Sequence, residues 1–459
     1  MSNTERVNNE IEEKYQDVTE AIAYALRGDE AVYKVTFDEL PESDDGIAYL
    51  YALAPYEYVV TKEMSPIGEE ELIKKQRFQF PLGFETKDTH LYEKFCICVM
   101  QKGELVQVTD AKYIINPEVL AQHTRPYEPI EKGLQSLCMH NLYLDGSGQD
   151  QGAYLPVICL LASLDENNPT VHPAARDEDF HPMEHYMYML NADTPEGVEA
   201  LAKDCSAIAA AGGQTFIIGN EVNERIWNYE SITDWPTYVR HYTQAFRVCY
   251  NAIKSQNAEA KVYFSIGQDW NRKRPVGHGE YYRYMDETDF CDLFNTQMKA
   301  EGNVDWAVAL HPYIVPLTYS KFWDMSGCES GGYCKAQVDS NAMVSFQNMS
   351  VITDYLTTDE YLNPDGEPRY FIIGEMGLSN EQGGDVQAAA LCALWASYQM
   401  NPYVHELIYC NLPGYGVDPI FIGKAEDAWA ALGTEKEEGY MEWAKEYIGI
   451  TDWTEVIRE

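Results

Sequence analysis

The stretch "FIIGNEVNE" occupies residues 216–224. Its apolar run leads straight into Asn220 and Glu221, with Glu224 just behind. A buried strand that ends in an amide and a carboxylate delivers polar chemistry to the point where the chain leaves the core. A second passage, "YFIIGEMGLS" at 370–379, repeats the pattern and ends its apolar run in Glu375. Whether the two acids form a pair depends on the elements around them.

From about residue 133 onward, strand-like runs alternate with helix-length segments. "YLPVICLLAS" reads as a buried strand. "TPEGVEALAKDCSAIAAAGG" reads as a helix, with Thr194 as N-cap, Pro195 in the first turn and Gly212 at the end. Strand "QTFIIGN" follows, then helix "WPTYVRHYTQAFRVCYNAIKSQ", strands "KVYFSIG" and "VDWAVALHPY", helix "AMVSFQNMSVITDYLTT", strand "RYFIIGE", helix "DVQAAALCALWASYQM" and strand "VHELIYCN". Alternating β and α over such a length predicts a parallel sheet with helices outside. The near-continuous apolar strands suit an α/β fold closed as a (β/α)8 TIM-type barrel. No Gly-rich phosphate fingerprint follows any of these strands, which disfavours dinucleotide and P-loop folds.

The N-terminal part has another texture. Residues 5–27 carry helical amphipathic spacing, so residues 1–27 are expected as an N-terminal helix. "AVYKVTFDEL", "GIAYLYALAPYEYVV", "RFQFPLGF", "KFCICVM" and "ELVQVTDAKYI" are short, alternating, β-branched or aromatic runs. They predict a small antiparallel β-sandwich-like domain over 28–125, with a hairpin at Lys102-Gly103. The Pro-containing stretch 116–133 reads as the linker, and 126–459 as the barrel domain. Tyr49, Tyr51, Tyr56 and Tyr58 alternate as one sheet face would, which favours a domain packed on the barrel over a separate sugar-binding module.

The charge balance is 33 basic against 74 acidic residues, a net −41. Nucleic acid and anionic membrane surfaces are therefore poor partners. Eleven cysteines lie mostly inside apolar runs, which is no disulfide framework and points to a reducing compartment. "CESGGYC", Cys328 to Cys334, leaves open a loop disulfide or half a metal site. The polar, acidic N-terminus has no signal-peptide h-region, and no apolar run approaches membrane-spanning length. A cytoplasmic location is expected, with secretion after leader removal as the alternative.

In a barrel of this type, chemistry sits at the C-terminal ends of the strands. Counted back from the C-terminus, Glu375 closes strand 7 and Glu221 closes strand 4, which face each other across the barrel mouth. Two carboxylates converging there suit glycoside hydrolysis, in which one protonates the leaving oxygen and the other attacks or supports the anomeric carbon. "GNE" on strand 4, "GE" on strand 7 and "LHPY" on strand 6 resemble the clan of retaining (β/α)8 glycoside hydrolases. In order along the chain, "LYALAPYEY", "KGLQ", "IIGNEVN", "ALHPY", "ITDYL" and "GEMGLS" resemble a bacterial family in that clan, catalogued as a domain of unknown function. The resemblance implies that Glu221 is the acid/base and Glu375 the nucleophile. It implies that Asn220 bonds the sugar 2-hydroxyl and that His311 and Tyr313 orient the nucleophile. Asp269, Trp270 and Asn271, in "QDWN" after strand 5, are expected sugar contacts, with core packing as the bland alternative for Trp270. The substrate class is an oligosaccharide or glycoside. No metal or organic cofactor is required, and oligomeric state stays open.

Three readings remain beside these. Glu224 lies past the strand end and reads as a loop or first-turn acid. His172, Arg176, His181 and His185 share the loop "VHPAARDEDFHPMEH", whose spacing matches no metal-ligand motif, so substrate contacts or a solvated loop are expected there. Only "LDGSGQDQGA" separates candidate strand "SLCMHNLY" from the next, less than a parallel crossover needs. The first βα unit is thus shortened or the barrel locally open. That feature keeps a non-catalytic carbohydrate-binding protein on the same barrel as the rival reading. A scaffold protein would show no perturbed acid at the barrel mouth.

Overall fold

The structure, a computed structural model, describes residues 20–24, 31–37, 39–73, 77–82, 90–121, 125–146, 155–176, 187–231, 234–273, 284–327, 331–411 and 420–458. Strands Glu20–Tyr24 (β1), Ala31–Thr36 (β2), Ile47–Leu53 (β3), Ile67–Leu72 (β4), Arg77–Leu82 (β5), Lys94–Gln101 (β6), Glu104–Gln107 (β7) and Lys112–Tyr113 (β8) come first. They form two antiparallel sheets, β1-β2-β5 and β4-β3-β6-β7, with β8 paired to β6. Tyr33 and Val35 of β2, Leu50 of β3 and Phe95, Ile97 and Val99 of β6 are buried in one shared core. The β6–β7 hairpin turns at Lys102 and Gly103, both at positive φ (54° and 78°), the backbone that a two-residue turn of this kind requires.

The helix expected over 5–27 does not run through its C-terminal part. Glu20–Tyr24 is a strand that pairs antiparallel with β2, Glu20 opposite Val35. Cross-strand pairing satisfies that backbone and overrides the helical spacing of the side chains. Residues 1–19 lie outside the described residues.

The second region begins with Gly133–Leu134 (β9), the single helical turn Gln135–Cys138 (α1) and Met139–Leu144 (β10). Then come Val157–Ala162 (β11), Pro195–Ala211 (α2), Thr215–Ile218 (β12), Trp235–Lys254 (α3), Lys261–Ile266 (β13), Glu287–Glu301 (α4) and Trp306–Leu310 (β14). Gly331–Asp339 (α5), Ser350–Leu356 (α6), Phe371–Ile373 (β15), Gly384–Met400 (α7), Val404–Tyr409 (β16), Lys424–Ala431 (α8) and Glu437–Ile448 (α9) complete it. The eight strands form one sheet in the order β10-β11-β12-β13-β14-β15-β16-β9, every pair parallel.

Chain geometry closes this sheet. Laid flat, seven inter-strand spacings of about 4.8 Å would hold β9 and β10 about 34 Å apart. Yet β9 and β10 are joined by the four residues of α1, and five residue steps span at most about 18 Å. The sheet must therefore curl into a (β/α)8-type barrel whose first connection is one helical turn. Side-chain parity agrees. Met139, Cys159, Ile217, Tyr263, Ala309, Ile372 and Ile408, one from each of β10 to β16, share an inner core. Their strand neighbours Ile158, Phe216, Phe264, Val308, Phe371 and Leu407 pack outward, in the core that lies under the helices.

Strand order also corrects the count at the start of the barrel. Gly133–Leu134 is the first strand, so "SLCMHNLY" holds the second and Val157–Ala162 the third. Thr215–Ile218 and Phe371–Ile373 remain fourth and seventh. The Thr194 hydroxyl accepts the Gly197 amide at 3.1 Å to start α2, and Gly212 at φ 120° ends it. The helix expected from residue 342 begins only at Ser350. Asn348 accepts the Ser345 amide and Ser345 Oγ the Gln347 amide, local bonds that compete with a helix. Helix α4 fills a place where no helix was expected. No helix among the described residues is long and apolar enough to cross a membrane.

One face of α3 holds the β region. Gln244 donates to Pro55 O at 2.8 Å, Arg247 Nη2 to Ile114 O at 2.7 Å and Asn251 to Leu91 O at 2.8 Å. These residues are three and four apart, the spacing of one helix face. Arg247 Nη1 also donates to Gly302 O at 2.5 Å, which ties α4 into the same joint. Beside it Lys94, fully buried, sits 3.5 Å from the Tyr58 ring centroid and 3.7 Å from Glu301. Burial pushes the Lys94 ammonium down, against the pull of Glu301. Truncating Arg247 leaves two carbonyls short of a buried donor, each worth about 1–3 kcal/mol. Arg247→Met should lower unfolding free energy in urea by roughly 2–5 kcal/mol. A midpoint equal to wild type would show that this joint does not hold the two regions together.

Candidate active site

Strand β12 ends at Ile218, and the backbone then takes an uncommon path. Gly219 has φ 76° and Glu221 φ 40°. A Cβ on Gly219 would lie 2.7 Å from Val222 Cγ1 and 2.8 Å from Asn228 Oδ1, so only glycine fits. Glu221 has no such freedom, and a non-glycine residue held there stores about 1–2 kcal/mol of strain.

Several groups hold that turn. The Glu221 amide donates to Ser265 Oγ at 2.8 Å, and Ser265 Oγ donates to Gly219 O at 3.3 Å. Tyr238 and Tyr242, one turn apart on α3, donate to Val222 O at 2.9 Å and to Ile218 O at 2.6 Å. Asn228 donates to Asn220 O at 2.5 Å. Burial pushes both tyrosine hydroxyls well above their ordinary pKa, so they remain donors.

Strand β14 ends at Leu310 and delivers His311 and Tyr313. His311 is buried, and its Nδ1 lies 2.9 Å from Glu221 Oε1. Tyr313 donates to Glu375 Oε1 at 2.9 Å. One strand end therefore touches both acids. His311 and Tyr313 are both expected beside Glu375; in the structure the His311 hydrogen bond goes to Glu221 and that of Tyr313 to Glu375. Gly374, just before Glu375, permits close packing of the strands, since a Cβ there would lie 3.0 Å from Ala309 Cβ. Burial first, then the Glu375 charge, pushes the Tyr313 hydroxyl far up, so it stays protonated beside that carboxylate. Burial pulls the His311 imidazole down. The Glu221 hydrogen bond and the Glu375 and Glu221 charges outweigh it, and the net shift is upward.

The remaining expected residues lie on the loop after β13. Asp269 is buried, its amide donates to Glu287 Oε1 at 2.8 Å, and Arg272 meets its carboxylate at 3.2 Å. Trp270 is 4% exposed and packs edge-on against Tyr355. It is a packing residue here, because its ring fills core space and presents no open face. Asn271 is exposed and its amide donates to Ala342 O at 3.0 Å.

Glu224 lies in the turn past the end of β12 and is half-buried. A Cβ placed on Gly267 would lie 3.6 Å from Glu224 Oε1, 3.6 Å from Glu221 Oε1 and 3.4 Å from Glu287 Oε1, so three carboxylates gather about that point. His172 is buried against His241 and Glu230, away from solvent. Its loop-mates His181 and His185 lie outside the described residues, as does Cys328. Sequence reading missed Ser265, Asn228, Tyr238 and Tyr242. The only signal was the pair of tyrosines four apart in α3, facing the strand that ends in Glu221.

A family profile, "Family of unknown function (DUF5722)", matches residues 147–456. The chain belongs to this family. No curated protein matches the chain. Solved structures that resemble it include a GH128 (subgroup I) endo-beta-1,3-glucanase from Amycolatopsis mediterranei in complex with laminaritriose. That likeness has a TM-score of 0.33 and 11% identity, over 66% of this chain and 99% of that one. A family 39 glycoside hydrolase from Bacteroides cellulosilyticus gives TM-score 0.34 and 13% identity, over 87% of this chain and 77% of that one. A GH5-4 broad specificity endoglucanase from Ruminococcus flavefaciens gives 0.31 and 11%, over 68% and 96%.

Two measurements test this geometry. If Glu221 is strained, Glu221→Gly should be more stable than Glu221→Ala by about 1 kcal/mol, because only glycine adopts that φ freely. Equal stability in a denaturant series would remove the strain. The second concerns His311. Its pKa is raised in the folded state, so folding favours the imidazolium. That stabilisation is complete below the unfolded value of about 6.5 and is lost as pH rises through the folded pKa. The unfolding free energy of wild type minus that of His311→Gln should therefore shrink from about pH 5 to about pH 9. A difference that grows with pH would reverse the sign assigned to His311.

Proposed function

We propose that this chain is a retaining glycoside hydrolase in which Glu221 is the acid/base and Glu375 the nucleophile. One observation carries the reading. His311 and Tyr313, two residues apart at the end of one strand, engage Glu221 and Glu375 respectively, each at 2.9 Å. The acids come from strands 4 and 7 and are held over the barrel mouth by a common neighbour, as a two-carboxylate mechanism requires.

The roles follow from the partners. Glu375 accepts a hydrogen bond from a hydroxyl that stays protonated, which orients the carboxylate for attack on the anomeric carbon. Glu221 faces an imidazole that can hold or release a proton as the carboxyl alternates between acid and base. In the first step Glu375 forms the glycosyl bond while Glu221 protonates the departing oxygen. In the second, Glu221 takes a proton from water, water attacks, and Glu375 leaves. Retention calls for carboxyls about 5–5.5 Å apart. On this reading Asn220, next to Glu221, would bond the sugar hydroxyl beside the reacting carbon, and the exposed Asn271 would make a further contact.

The test uses a panel of dinitrophenyl glycosides, whose leaving group needs little proton donation. Glu375→Gln should abolish turnover on the whole panel. Glu221→Ala should keep its first step, accumulate the intermediate and recover turnover with azide, giving a glycosyl azide of retained configuration. Substrates with poor leaving groups should lose about 10²–10⁴-fold in rate. Peptide mass spectrometry after a fluorosugar inactivator should find the adduct on Glu375. An adduct on Glu221 or elsewhere would overturn the assignment. Sugar binding without turnover by the wild type would make the chain a binding protein.

A further inference from the structure

A second cluster of reactive groups lies outside the carboxylate pair. His172, in the loop after β11, and His241, on α3, stack with ring centroids 4.5 Å apart and planes 27° from parallel. Their Nδ1 atoms both face Glu230, at 3.3 Å from His172 and 3.0 Å from His241. Their Nε2 atoms both face Asp193, at 3.4 and 3.6 Å. His172 is 2% and Glu230 1% exposed. One ligand atom from each of His172, Glu230 and His241 lies within 4.8 Å of the others.

His172 Nε2 is buried and makes no hydrogen bond. An unpartnered buried polar atom costs about 1–3 kcal/mol. A divalent ion bound there gives this atom a partner. Zinc–ligand bonds of about 2.1 Å in a tetrahedron put ligand atoms about 3.4 Å apart. The two Nε2–Asp193 separations are 3.4 and 3.6 Å.

We propose that His172 Nε2, His241 Nε2 and Asp193 Oδ2 bind a divalent transition-metal ion of the zinc class, with Glu230 as the outer carboxylate. Two imidazoles select this class over calcium or magnesium, which take oxygen ligands. Glu230 then accepts both Nδ1–H groups, the usual support for metal-bound histidine. Binding at Nε2 puts the His172 proton on Nδ1, where Glu230 takes it in place of the present Ala174 amide contact at 3.1 Å. Asp193 is 27% exposed, which gives the ion a way in and leaves room for water as fourth ligand. The ion would pin the loops carrying His172 and Asp193, and the segment from Glu221 to Glu230, onto α3. It takes no part in the hydrolytic steps proposed above and does not rest on them.

The experiment uses tag-free full-length protein, stripped with chelator and dialysed against zinc chloride. One equivalent of zinc per chain is expected by elemental analysis, with a rise in thermal midpoint that chelator reverses. Cobalt in its place should give the intense visible bands of tetrahedral coordination. Glu230→Gln should weaken binding about 10–100-fold. His172→Gln and Asp193→Asn should each abolish stoichiometric binding. The half-exposed Asp193 serves if the His172 variant does not fold. Wild type that retains no zinc, or an Asp193→Asn protein that binds as tightly as wild type, would overturn the proposal.

Discussion

The left-handed backbone at Glu221 is the constraint on which the site depends. A glutamate does not choose φ 40° unaided. It stays there because Ser265 takes its amide from the next strand and because Tyr238, Tyr242 and Asn228 hold three carbonyls around it. The turn lifts the carboxylate out of the strand line toward His311. The same tyrosines bury α3 against the barrel, so the helix that braces the acid also carries the polar face that holds the β region. Packing and site geometry share one element, and a change on one side of α3 is felt on the other.

The end of β14 measures the distance between the two acids. His311 and Tyr313 leave the strand two residues apart, and each spends its hydrogen bond on a different carboxylate. Burial and then the Glu375 charge hold the Tyr313 hydroxyl protonated, whereas burial pulls the His311 imidazole down and the Glu221 hydrogen bond and the two carboxylate charges carry it upward overall.

Much of the fold was legible because it rests on local rules. Alternation of apolar runs gave the barrel strands, the Thr194, Pro195 and Gly212 signals bounded α2, and Lys102-Gly103 gave its hairpin. The places of Glu221 and Glu375 followed from strand ends alone, and the family resemblance found in the motifs agrees with the family to which the chain belongs. What escaped was set by distant partners. Glu20–Tyr24 is a strand because β2 lies beside it. Residues 342–349 are not helical because Ser345 and Asn348 bond their own backbone. Gly133–Leu134 is too short to show any periodicity. The approach of His172 to His241 spans 69 residues and passes through no motif. Trp270, which reads as a sugar contact or as core packing, is buried and packs edge-on against Tyr355.

The four-residue turn between β9 and β10 has a consequence for how the protein is made. The seam of the barrel joins Gly133 to Ile408 and Leu134 to Tyr409, so its closing contacts span nearly the whole barrel region. Contacts so far apart in sequence are late to form, since loop-closure entropy must first be overcome. On the ribosome β9 emerges early and has no partner until β16 follows. Until then the edges at β9 and β10 are open to other chains, the situation that chaperones exist to manage. Truncation at the C-terminus would do more than trim the last helices: it would leave the cylinder without its final stave.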